Sequence, residues 1–558
     1  MGVRNAVLKI TKELQNSDEE ILVFGPLIHN PQTIELLEMR GMRVINSLEK
    51  IRGKQVAIRS HGIPINEYRD IKSKAIRVIN LTCPRVARVQ AIIKKFSSRG
   101  YFVIIIGDRD HAEVIGLMSY ASQGCAVVSD VADLSGIPGN HKYVIVAQTT
   151  ADRQLFADVI ESIKMQFNDI EIVDTICDST RHRQEELLKG IEDGIDTLVV
   201  VGGKNSANTK RLARIGEKSG IRTVLIESEN EIEEKDFSNS KSVLITAGAS
   251  TPGWIINGVT EKLHEISCKQ SNFVFYGLFR FYELLVKTNI LSSIGAAAIT
   301  IMTLLVTNWP INADLPAISF LYIFSMYSIN NYMEQQSLRI NNPNKYRIYK
   351  KYGKFFLFFS ILSIAFTILL AYRQSVLVMT ILAISTVLGA MYSSDLVKSI
   401  TARFRSKHLS RFYNSRVVSS LGWVVITVIS PMMDTGPDPL QMTALCLFVF
   451  TLIFMKQILI DMVAFQGDLI LGRETLAIVL GPRGVKYLFV LMALVTVPLM
   501  IYASVINNKL FLLFITSIAY YIGLMIIISR PLSVNSMRYE LAVDANFIII
   551  LGLLPVLL

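Results

Sequence analysis

The sequence predicts two architectures in series: an α/β domain over residues 1–268 and an all-α membrane domain over 286–558, joined by a linker at 269–285. Three observations carry this. Up to about residue 268, charge is spread throughout and apolar runs have strand length. From about residue 274, apolar runs near twenty residues recur, too long for ordinary strands. The lysines and arginines of the second half cluster between those runs. The net charge of +11 therefore fits basic loops of a membrane protein better than a nucleic-acid surface, and no nucleic-acid partner is expected. Five cysteines in 558 residues without regular spacing exclude a disulfide framework, and the first residues carry no apolar signal segment.

In the first half, the strand candidates are 21–25, 55–58, 102–107, 143–146 and 197–202, each ending near a polar or glycine segment. Strands alternating with helical patterns argue for mostly parallel sheets. In such folds ligands gather beyond the C-terminal ends of strands. The chemistry-bearing segments fall there: 25–30 with His29, 59–62 with His61, 111–113 with His111 and Glu113, 148–150 with Thr149 and Thr150, 203–208 with Ser206 and Asn208, and 247–250 with Ser250. Histidines, hydroxyls, amides and backbone N–H groups suit an oxygen-rich anion such as a diphosphate, and Glu113 suits proton transfer. Taken singly, each is more often a turn or cap residue than a ligand contact. Cys83, in Thr-Cys-Pro, and Cys177, in Ile-Cys-Asp, flank this set and suggest metal or redox chemistry; Cys125 reads as a packing residue, Cys268 and Cys446 as incidental.

These motifs resemble the 4-hydroxy-3-methylbut-2-enyl diphosphate reductase (LytB/IspH) family. Gly-Pro-Leu-Ile-His-Asn at 25–30, Ser-His-Gly at 60–62, Thr-Cys-Pro at 82–84, His-Ala-Glu-Val at 111–114, Gln-Thr-Thr at 148–150, Cys-Asp-Ser-Thr at 177–180, Lys-Asn-Ser-Ala-Asn at 204–208 and Thr-Ala-Gly-Ala-Ser at 246–250 stand in the family's order. The resemblance implies three α/β lobes around a central 4Fe–4S cluster, and reductive removal of an allylic hydroxyl as water, giving isopentenyl and dimethylallyl diphosphate. It implies that Cys83 and Cys177 are cluster ligands and Glu113 the proton source, assisted by Thr149 or Thr150. It implies that His29, His61, His111, Ser206, Asn208 and Ser250 hold the diphosphate, and that a carrier such as ferredoxin or flavodoxin supplies electrons. The family's third ligand belongs to a Cys-x-Gly-Val motif whose cysteine would fall just before Met1, which is expected to be an internal methionine of a longer reading frame; a truncated, cluster-deficient chain is the alternative.

In the second half, nine apolar segments are expected to span the bilayer: 289–306, 313–333, 355–373, 375–393, 416–433, 439–465, 486–505, 510–529 and 541–558. The connecting segments 334–354, 394–416 and 466–486 are basic, whereas 307–312 and 434–438 hold no lysine or arginine. The positive-inside rule puts the basic loops and the first half in the cytoplasm, in a multi-pass protein of the cell (inner) membrane. Glu334, Asp461 and Asp468 stand at membrane depth or its border, where carboxylates either coordinate Mg²⁺ for a diphosphate or solvate helix ends. The segments Asn-Asn-Tyr-Met-Glu at 330–334 and Asp461 through Gly467-Asp468 to Gly472-Arg473-Glu474 resemble the two acidic motifs of the UbiA family of intramembrane prenyltransferases. That resemblance implies prenyl transfer from a diphosphate. Asn331 and Leu338 replace two acids of the first motif, Glu334 replaces the third, and Ala464 and Gln466 stand where acids are usual in the second. The expected function is a reductase fused to a divergent prenyltransferase. The rival is a diphosphate-binding module on a non-catalytic anchor or transporter-like domain.

Overall fold

A computed structural model of the chain describes residues 2–557 other than 18, 29, 140, 270–272, 394–414, 434–437, 472, 474, 507 and 529–535. The chain divides into two compact units, Met1–Ile266 and Ser267–Leu558.

The first unit holds three sheets, all parallel. The strands β1 (Ile21–Phe24), β2 (Met42–Ile45), β3 (Gln55–Ile58) and β4 (Arg77–Asn80) order as β2-β1-β3-β4. The strands β5 (Tyr101–Ile106), β6 (Cys125–Val128), β7 (Lys142–Ala147) and β8 (Ile170–Ile172) order as β6-β5-β7-β8. The third sheet is β10-β9-β11, from β9 (Thr197–Val201), β10 (Arg222–Ile226) and β11 (Val243–Ala247). These are the three expected lobes. The central strands are covered on both faces, so Val103 to Ile106 and Val199 to Val201 are fully buried and read as unbroken apolar runs. Helices fill the crossovers between parallel strands, and each begins beside a strand end. The loops after β1, β3, β4, β5, β7, β8, β9 and β11 carry the chemistry-bearing residues, as the strand-end rule requires.

The second unit is helical. Each of the nine expected segments coincides with helix, among them Ile290–Val306, Asp314–Met333, Pro343–Gln374, Pro439–Leu471 and Asn508–Ile528. Among the described residues, Pro343–Gln374, Pro439–Phe465 and Phe511–Ile528 are each long and apolar enough to cross a membrane. Tyr276–Lys287 and Ile290–Val306, bent by 74° at their junction, make a further broken span or re-entrant pair. The count of nine spans is not reached by this measure. Two features depart from expectation. Most of the segment read as a linker is helix, Phe273–Lys287, and it ends at Asn289, which adopts φ 61° and donates its side-chain N–H to the Tyr349 hydroxyl at 2.9 Å. The last apolar segment is broken between Asp544 and Asn546, leaving the Asp544 carboxylate buried in the bundle. Most of the basic segment 394–416 lies outside the described residues.

Candidate functional site

Six of the residues singled out from the sequence meet in the first unit. His61, His111, Thr150, Ser206, Asn208 and Ser250 line one cavity of about 50 Å³, drawing on all three lobes. Ile28 also lines it; its neighbour His29 lies outside the described residues. The two imidazoles meet edge to face with centroids 5.5 Å apart. Ser206 caps the Ala207–Lys218 helix by accepting the Thr209 N–H, so the cavity wall includes a helix N-terminus, where negative charge is favoured. Among the described residues, the Asn208 Nδ2 donor is buried without a hydrogen-bond partner, as a group kept for a ligand oxygen would be.

Glu113 and His111 are set by one helix start. His111 caps the Ala112–Met118 helix, its Nδ1 accepting the Glu113 N–H at 3.2 Å. That bond puts the imidazole proton on Nε2, a donor suited to phosphate oxygen. Glu113 is 1% exposed. Its two carboxyl oxygens accept the Thr149 N–H at 2.7 Å and the Thr149 hydroxyl at 2.9 Å. Burial pushes its pKa up from 4.5 to about 7, against the two Thr149 hydrogen bonds, which pull it down. Among the described residues no cation neutralises this carboxyl, so near neutrality it is poised between acid and base. The sequence left Thr149 and Thr150 interchangeable; the structure separates them. Thr149 holds Glu113, while Thr150 lines the histidine cavity, accepts from Gln148 Nε2 at 2.9 Å and has its carbonyl bound by Arg211 at 2.5 Å. Arg211 was not anticipated, because nothing local to its helix marks it.

Cys83 and Cys177 each precede the first turn of a helix, Pro84–Ser97 and Asp178–Glu192. The two helix starts are tied by an Arg85–Asp178 ion pair. The Cys177 N–H donates to the Thr149 carbonyl at 2.9 Å, so thiol and acid share a support. Gly2 abuts the Cys83 sulfur: a Cβ there would fall 2.0 Å from Sγ, so only glycine permits this approach. Two thiols at helix N-termini fit the chemistry of cluster iron. Among the described residues no group of three His, Cys, Asp or Glu side chains forms a complete metal site.

The second unit holds a larger cavity, about 700 Å³, where the two acidic-motif regions meet. Asn341 donates to the Asp468 carboxylate at 2.7 Å, and its side chain lies where a Cβ on Gly467 would stand, which requires glycine there. Arg473 bonds Glu334 at 3.0 Å. Asp461, wholly buried, takes both the Nε and Nη2 of Arg416 on one oxygen, at 2.9 and 2.6 Å. Two further pairs were missed from the sequence: Lys345 with Glu540 at 3.2 Å and Lys456 with Asp544 at 2.7 Å. Lys456 also bonds Ser292 at 3.0 Å and lies 4.5 Å from the Phe547 ring centroid, with Trp423 and Tyr327 beyond. Intramembrane charges were the available signal, and Lys456 carried it; Asp544 was hidden in an apolar run. Of the three carboxylates expected to hold Mg²⁺, Glu334 meets an arginine and Asp468 an amide, while Asp461 gives Oδ1 to Arg416 and keeps Oδ2 buried without a hydrogen-bond partner among the described residues; the three are not gathered into one metal-ligand set. Gly472 and Glu474 of the second motif lie outside the described residues.

Comparison with known proteins gives two families. Residues 1–264 match the LytB protein family and residues 290–537 the UbiA prenyltransferase family. The 4-hydroxy-3-methylbut-2-enyl diphosphate reductase of Geobacter sulfurreducens is 37% identical over 269 residues, covering 48% of this chain and 95% of that protein. The same-named protein of Desulfovibrio desulfuricans is 38% identical over 275 residues, covering 48% and 96%. A solved structure of (E)-4-hydroxy-3-methyl-but-2-enyl diphosphate reductase is 35% identical, covering 48% of this chain and 95% of that one, with a TM-score of 0.38.

Proposed function

We propose a function for a chain that belongs to the LytB family in its first half and continues as a UbiA-family region in its second: the first unit reductively dehydroxylates 4-hydroxy-3-methylbut-2-enyl diphosphate. The reading rests above all on His61, His111, Ser206, Asn208 and Ser250 lining one cavity. The diphosphate is gripped there by Nε2–H of His111, by the His61 imidazole, by hydroxyls, by the Asn208 amide and by the start of the Ala207–Lys218 helix. His29 completes the set by resemblance. Held at its anionic end, the substrate presents its hydroxyl to Glu113. Protonated near neutrality, Glu113 donates to that oxygen and makes water the leaving group, while Thr149 keeps the carboxyl aimed. The balance is two electrons and two protons in, one C–O bond broken and one water out. Cys83 and Cys177 would hold a 4Fe–4S cluster, which when bound supplies electrons and a Lewis-acidic iron. An external carrier of ferredoxin or flavodoxin type delivers the electrons.

The second unit, embedded in the lipid bilayer, takes a prenyl diphosphate in its polar cavity and transfers the prenyl group. The N-terminal unit lies on the cytoplasmic side, following the basic connecting segments.

The test is anaerobic turnover. Iron-loaded protein given a chemical reductant and 4-hydroxy-3-methylbut-2-enyl diphosphate is expected to form isopentenyl and dimethylallyl diphosphate. Iron-loaded protein that binds the substrate and releases neither product would refute the reading.

A further inference from the structure

The carboxylates of the membrane cavity do a different job from the one their motifs suggest. A Mg²⁺ ion needs oxygens at about 2.1 Å, so two of its ligands stand at most about 4 Å apart. Asp461 and Asp468 are seven residues apart in one helix, a rise of about 10 Å, which two short side chains cannot close around one ion. Asp461 is also set behind Arg416: among the described residues, the cavity lining includes Arg416 and not Asp461. Among the described residues, the lining carries four cations and four carboxylates, Glu334, Asp468, Glu540 and Asp544, so these leave no surplus negative charge to recruit a divalent ion. Each cation is paired with a carboxylate on another element, three of them facing a partner that also lines the cavity. The pairs differ in how firmly they hold. Lys456 and Asp544 are 3% and 6% exposed and fixed, whereas Arg473 and Glu334 are each about a third exposed, where an entering phosphate oxygen replaces the carboxylate at little cost.

We infer that Asp461 is a positioning residue for the Arg416 guanidinium and not a metal ligand, and that this cavity meets the phosphate groups of its ligand directly through Arg416 and Arg473, independently of a divalent cation. The inference rests on the reading that the second unit takes a prenyl diphosphate. The Asp461 carboxylate, by holding Arg416 through two N–H groups, fixes a planar donor that would otherwise lose side-chain entropy on binding.

The experiment is equilibrium binding of geranyl diphosphate, as probe, to the full chain in lipid nanodiscs, in excess EDTA and in MgCl₂. Wild-type Kd is expected to agree between the two media within about twofold, and Arg416→Gln to weaken binding about tenfold or more in both. Asp461→Asn, which keeps an acceptor oxygen for the guanidinium, is expected to weaken binding less, and equally in both media. If Mg²⁺ tightens wild-type binding more than about tenfold and Asp461→Asn erases that gain, Asp461 is a metal ligand; the inference falls and the prenyl-diphosphate reading stands. If the probe binds in neither medium, both fall. The wild-type comparison needs no variant, so a misfolded substitution does not blunt it.

Discussion

The two units bury carboxyl groups beside a cavity in opposite ways. In the first, Glu113 meets neutral donors among the described residues, the N–H and hydroxyl of Thr149. In the second, Asp461 meets a guanidinium, Asp544 an ammonium, and Glu334 an arginine. The physical consequence differs accordingly. Neutral partners leave desolvation uncompensated, and the proton stays on until about pH 7. A cationic partner instead turns the carboxylate into scaffolding for the cation. Chemistry type therefore follows the partner more than the acid.

The contrast can be broken at four points. The largest effect is expected for Glu113→Gln, which removes the proton source: turnover should fall about a thousandfold while substrate affinity, measured by titration under argon, changes little. Retained turnover would show that Glu113 does not donate. Next, Lys456→Met leaves Asp544 buried without its cation and should cost about 3–4 kcal/mol in thermal unfolding of the full chain. Adding Asp544→Asn should recover much of it; no loss in the single variant would mean the pair is not structural.

A smaller effect concerns pH. Glu113 has a folded-state pKa raised from 4.5 to about 7, so its uncharged form favours the fold. That contribution is full below about pH 4.5 and is lost as pH rises to about 7. Glu113→Gln, which never ionises, should gain on wild type by about 2–3 kcal/mol between those pH values, read as diverging melting temperatures. Parallel melting curves would contradict the raised pKa. The smallest effect is expected for Arg473→Gln, whose pair with Glu334 is about a third exposed: under about 1 kcal/mol in stability, with the loss appearing in ligand binding instead.

The sequence made the sheet centres legible and the sheet edges opaque. The five anticipated strands are β1, β3, β5, β7 and β9, all interior to their sheets. The six overlooked ones, β2, β4, β6, β8, β10 and β11, are all edges. An interior parallel strand is covered on both faces and reads as an unbroken apolar run. An edge such as Arg77-Val78-Ile79-Asn80 or Ile170-Glu171-Ile172 keeps exposed positions and loses that signature. The cavity lined by His61 and His111 was legible because its parts sit at strand ends. The membrane pairings were not: Glu334 and Arg473 lie 139 residues apart and Lys345 and Glu540 195 apart, and partner choice at such range is set by helix packing alone. Asp461 illustrates the cost, since a motif fixes where an acid stands but not which neighbour claims it.

One peptide link in the first unit has a wider reach. Because the Cys177 amide is bonded to the Thr149 carbonyl, and the Thr149 hydroxyl to Glu113, sulfur and carboxyl ride on the same short rail. Any shift of the Thr149 backbone would therefore disturb the start of the Asp178–Glu192 helix and the seat of the Glu113 carboxyl together.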